Sequence, residues 1–136
     1  MPDASTRLSA HLNSDLLRAV GGLLSQQAAS VSELRRQVLT YRQALKQANT
    51  SGAWPDMDYA LAVQCADVCD GLLDTLPKPD EVELQLLHVA CRYFVLSDDD
   101  EDDFESLVGF DDDALVVNAV SRTLGISELA ISLIPR

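Results

Sequence analysis

Apolar residues recur at three- and four-residue intervals along almost the whole chain, and no segment alternates at period two. That spacing lays one apolar stripe along a helix and leaves nothing that reads as a half-buried strand. The expected fold class is therefore all-α, a compact bundle of five to six helices. The chain of 136 residues, 47% of them apolar, suffices for one hydrophobic core without disulfides or a structural metal.

The pattern divides the expected single domain into an N-terminal helical pair, residues 1–50, and a helical core over residues 54–136. A first helix is expected from Leu8 to Ala28, with Leu12, Leu16, Val20 and Leu23 on one side. Gly21-Gly22 inside it weakens helix propensity and predicts a kink or a close helix contact. Ser30-Val31-Ser32-Glu33 reads as a capping box, with Ser30 accepting from the Glu33 amide and Glu33 reaching back to the Ser30 amide. The helix it opens carries Val31, Leu34, Val38, Tyr41, Leu45 and Ala48 in a seam of fewer than three heptads. Packing of that seam in the chain's own core is the simpler use, and a homodimer through the first two helices is the other.

Trp54-Pro55 is expected to start a third helix with Leu61, Cys65, Val68, Leu72 and Leu76 inward and Asp67, Asp70 and Asp74 on a solvated face. Pro77-Lys78-Pro79 separates it from a fourth helix that ends near Leu96. Asp111 or Asp112 is expected to cap a fifth, Ala114 to Leu124, which Gly125 closes, and a short last helix is expected from Ser127 to Ile134.

Charge narrows the function. The net charge is −12, from 22 acidic and 10 basic side chains. Ten of the acids lie in the acidic loop 97–113, which has no Lys or Arg; without it 12 acids face 10 bases, a net of −2. No basic stripe is present to contact phosphates, so no nucleic-acid partner is expected, and anionic membrane surfaces would repel the acidic loop. No apolar run reaches the length of a membrane span, so no membrane insertion is expected. Met1 to Arg7 lacks the basic and apolar regions of a secretory signal, and three cysteines make no disulfide framework, so a cytoplasmic location is expected.

A cation is one use for so many carboxylates. Asp98, Asp100 and Asp102 fall at the first three liganding positions of an EF-hand register, but Asp103 and Gly109 then occupy the places of its glycine and its glutamate. A Ca²⁺ or Mg²⁺ site outside that register would pair Asp98 or Asp100 with Asp112 or Asp113. No other cofactor is expected. Cys65, Cys69, His88 and Cys91 form a Cys3His set one helical turn apart on two helices, although buried core cysteines explain the same spacing more simply. No phosphate loop, nucleophile elbow or His-Glu-x-x-His element occurs.

From Tyr93-Phe94 through the acid run to Gly109-Phe110-Asp111-Asp112-Asp113-Ala114-Leu115, the chain resembles the YkvA-like domain of unknown function, a small bacterial helical family. The shared element is Gly-aromatic-Asp-Asp leading into an apolar helix, and the likeness covers residues 87–124. It implies an all-helical fold and no particular reaction. The two prolines of the family pattern are absent, and Asp98, Asp99, Asp100 and Glu101 stand in that stretch instead.

The function expected is a non-catalytic interaction or regulatory domain. Asp98, Asp99, Asp100, Glu101, Asp102 and Asp103 would present an acidic surface to a basic protein partner. The alternatives are a divalent-cation domain, either a sensor or a cryptic hydrolase, and a helical homo-oligomerisation module.

Overall fold

The computed structural model describes residues 4–52, 58–95 and 110–131. Among these the fold is all-α: α1 (Ala4–Ser9), α2 (Ser14–Ala19), α3 (Gly21–Leu24), α4 (Val31–Ser51), α5 (Tyr59–Thr75), α6 (Glu81–Val95), α7 (Asp111–Thr123) and a 3-10 turn at Ser127–Leu129.

The centre of the bundle is α6, which packs against α1, α3, α4, α5 and α7. Its residues Leu86 to Cys91 are all buried without a break, so the helix has no outward face over that stretch. A helix apolar all round is stable only when neighbours surround it. In α7, Val116 to Ser121 are buried in the same unbroken way. By contrast α4 buries only Leu34, Val38, Tyr41 and Leu45, one stripe of the expected seam, and that stripe faces the chain's own core. Tyr41 meets Phe94 of α6 edge to face, with ring centroids 5.0 Å apart, a geometry that adds to the burial of both rings.

The N-terminal region departs from expectation. One helix over Leu8–Ala28 is replaced by three short ones, followed by a non-helical connection over residues 25–30. The break lies at Asn13, whose extended backbone and side-chain Oδ1, 2.9 Å from the Leu16 amide, start a new helix. Asparagine competes for backbone donors in this way, which is why it caps helices better than it continues them. The second break is a kink at Val20, beside the glycine pair; open space surrounds the positions of both missing Cβ atoms, so no close helix contact accounts for Gly21 or Gly22. The apolar spacing survives the breaks, since Ala4, Leu8, Leu12, Leu16, Val20 and Leu23 are all buried.

Other helix ends differ from expectation in part of their bonding. Ser30 does accept from the Glu33 amide at 3.2 Å, but the Glu33 carboxylate turns away to Arg36 and Gln37. The reciprocal capping box is instead at the start of α6. There the Glu83 amide donates to Asp80 Oδ1 at 2.8 Å and the Asp80 amide donates to Glu83 Oε1 at 2.9 Å. Trp54 and Pro55 lie outside the described residues, and α5 starts at Tyr59, with Asp58 accepting from the Leu61 amide. Phe110, which holds the cap position of α7, makes no side-chain cap bond, and Asp111, Asp112 and Asp113 occupy the first turn. Carboxylates there still favour the helix through its dipole.

Gly125 closes α7 as expected, at φ +76°. The Ile126 amide donates to Ser121 O and the Gly125 amide to Arg122 O, the paired bonds of a Schellman end. Where the last helix is expected, the 3-10 turn is followed by an extended Ala130, and residues 132–134 of that expectation lie outside the described residues. Asn118, buried in α7, takes over the backbone bonding of that segment: its Nδ2 donates to Ile131 O and its Oδ1 accepts from the Ile131 amide. No helix among the described residues is long and apolar enough to cross a membrane.

Candidate functional site

The acidic residues singled out by sequence fall on both sides of what is described. Asp98, Asp99, Asp100, Glu101, Asp102 and Asp103 lie outside the described residues. Asp112 and Asp113 are placed, and they separate: Asp112 is exposed on the first turn of α7, whereas Asp113 is buried with 4% of its surface accessible. Among the described residues no group of three or more His, Cys, Asp or Glu side chains is arranged to hold a metal ion.

The second acidic face, on α5, is matched by cations of α4. Arg42 reaches Asp67 at 3.0 Å and Asp70 at 2.7 Å, and Arg35 reaches Asp74 at 2.7 Å. Burial of the Arg42 guanidinium disfavours its charge, but its hydrogen bonds with Asp70 and Asp67 outweigh this and raise its pKa. These pairs fix the register of α4 against α5 more than they stabilise it, because water screens exposed charges. The face read as solvated carboxylates is thus a ladder of ion pairs.

The cysteine–histidine set is not arranged as a metal site. Cys65, Cys69 and Cys91 are fully buried free thiols in the core. A hydrogen bond with Cys91 and complete burial push the Cys69 thiol well above its ordinary pKa, and Cys65 and Asp70 add to the effect. A thiol so placed is neither a nucleophile nor a ready thiolate ligand. His88 has other partners. Its Nδ1 accepts from the Ala29 amide at 3.1 Å, and its Nε2 lies 3.1 Å from Gln26 Oε1.

His88 belongs to a polar seam that sequence reasoning did not find. One turn earlier on α6, Gln85 Nε2 donates to Leu23 O at 2.9 Å. Together Gln85 and His88 bond the end of α3 and the 25–30 connection to α6. Beside this seam opens a cavity of about 480 Å³, walled by Ala4 and Ser5 of α1, by Leu24, Gln27 and Ala28, and by the Glu81–Gln85 end of α6. The available signal was the pair of polar residues, Gln85 and His88, interrupting the apolar middle of α6, Leu84 to Cys91. Its partners lie about sixty residues away in sequence, where local periodicity says nothing.

No family model, no curated protein and no solved structure matches this chain.

Proposed function

We propose that the protein is a non-catalytic interaction or regulatory domain whose acidic run, Asp98 to Asp103, binds a basic surface on a protein partner. The observation that supports this most is how the charges are shared out. On α4, Arg35, Arg36 and Arg42 are already engaged with Asp74, Glu33, and Asp67 with Asp70. The loop 97–113 carries ten acids with no Lys or Arg of its own, and charge of one sign steers an oppositely charged partner. The three thiols are buried, and the His88 imidazole is hydrogen-bonded on both nitrogens. The likeness to YkvA-like domains agrees with a helical module and rests on Gly109, Phe110 and Asp111 to Asp113.

A labelled Lys/Arg-rich peptide is the probe. It is expected to bind the full chain at low salt and to lose affinity steeply as sodium chloride rises. Replacing Asp99, Asp100, Glu101 and Asp102 by Ser and Asn abolishes binding. Asp15→Asn combined with Glu128→Gln, at exposed positions elsewhere, leaves it intact. Loss in both variants in proportion to the charge removed would mean that net charge alone attracts the peptide, and the local reading would fail. A melting temperature raised by Ca²⁺ or Mg²⁺ beyond matched sodium chloride would favour the cation-binding alternative instead.

A further inference from the structure

The connection between α3 and α4 is held to α6 by bonds that depend on one protonation state. A backbone N–H is only a donor, so the Ala29 amide, 3.1 Å from His88 Nδ1, requires a lone pair on that nitrogen. The ring proton then sits on Nε2 and is donated to Gln26 Oε1 at 3.1 Å. Both nitrogens are thus committed, in a residue with only 3% of its surface accessible. A second proton, at Nδ1, would set N–H against N–H and place a positive charge in a site built for a neutral ring.

Among the described residues no anion compensates the ring. Residues 20–30, which form α3 and the connection, contain no ionisable side chain. On α6 the nearest charge in sequence is Arg92, one turn on, whose positive charge opposes protonation of His88, as does burial. On α4, Glu33 is committed to Arg36 and, through Gln37, to Arg92. On α1, Arg7 donates to Thr123 O at the end of α7. On α5, the cysteines are buried and Asp70 is held by Arg42. On α7, Asp113 is buried and Arg122 is exposed, and neither is among the groups that act on the ring.

We propose that His88 is a pH-sensitive latch: its neutral ring fastens the 25–30 connection to α6, and protonation releases the connection and opens the adjoining cavity. The connection is also tied locally, through the Gln26 amide to Leu23 O and the Glu33 amide to Ser30, and Ala29 packs against the core. Gln27 and Ala28 wall the 480 Å³ cavity with Leu24, so its release widens that cavity and exposes Val82 and Leu84 of α6. Because the folded site favours the neutral ring, release occurs as pH falls below the ordinary histidine range and reverses on return to neutral pH.

Amide hydrogen exchange on the full chain reads this directly. After correction for intrinsic rates, protection at residues 25–30 is expected to fall at least tenfold between pH 7.5 and 5, while protection in α6 and α7 persists. His88→Asn keeps an oxygen acceptor where Nδ1 stands and has no titrating ring, so its connection is expected to show no such pH dependence. An unchanged wild-type connection over that range, or an equal fall in the Asn variant, overturns the proposal. Nitrogen chemical shifts of the wild-type imidazoles test it without any variant. Nδ1 of His88 should remain unprotonated until the Ala29 amide loses protection, with exposed His11 as the internal reference. Titration of His88 with no change at Ala29 refutes the latch.

Discussion

At the scale of single residues, the buried polar side chains are better guides to this molecule than its many surface acids. Among the described residues the buried polar or charged set is His88, Asp113, Asn118 and Ser121. A buried amide is tolerated only when bonded, and Asn118 uses both ends of its side chain on the backbone of Ile131. Asn118→Ala leaves that amide and carbonyl without their partners, so the cost is expected to be about 2 kcal/mol. Urea denaturation measures it, and exchange at the Ile131 amide should quicken well before global unfolding. A loss below about 0.5 kcal/mol would mean that water replaces the side chain without penalty. Ser121 needs no distant partner, since its hydroxyl donates to Val117 O one turn back.

Among the elements, helix ends decide where the sequence reading succeeded. Gly125 and Pro77 were legible because glycine at positive φ and proline act locally. The stripe of α4 was legible because one face of that helix is wet. The unbroken burial of Leu86 to Cys91 in α6 was not legible, since periodicity cannot distinguish one buried face from burial on every side. Of the Ser/Asp-x-x-Glu elements at the starts of α4 and α6, only Asp80 with Glu83 closes both bonds. In Ser30 with Glu33 the same spacing yields one bond, because Arg36 and Gln37 draw the carboxylate away. Asp80→Ala is therefore expected to cost about 1 kcal/mol. Because the two bonds are reciprocal, Glu83→Ala adds less to that variant than to the wild type. A double-mutant cycle by urea denaturation reads the coupling, and additive losses would show that the two bonds act separately.

For the whole molecule, the bundle core was legible and the seam between α3 and α6 was not. Core burial follows from apolar periodicity, while the pairing of Gln85 and His88 with Leu23, Gln26 and Ala29 is set only when distant segments meet. The charge distribution also acts at this scale. Repulsion within the contiguous run Asp98 to Asp103 persists in the unfolded chain, so it contributes little to the folding equilibrium. What folding adds is the approach of that charge to the other carboxylates of a chain at −12. The Debye length falls from about 30 Å at 0.01 M to about 10 Å at 0.1 M, so this added repulsion is exposed at low salt and mostly screened at moderate salt. Raising sodium chloride from 10 to 200 mM is therefore expected to stabilise the fold by on the order of 1 kcal/mol, a rise of a few degrees in Tm. The ion pairs of Arg35 and Arg42 respond in the opposite sense, but exposed pairs contribute too little to reverse the trend. Replacing Asp98, Asp99, Asp100, Glu101, Asp102 and Asp103 with Asn, Gln and Ser should raise Tm at 10 mM salt and flatten its salt dependence. Calorimetry of both chains across the same salt series makes the comparison. If the variant keeps the wild-type slope, the repulsion arises outside the acidic run, and the paired carboxylates of α5 become the next to replace.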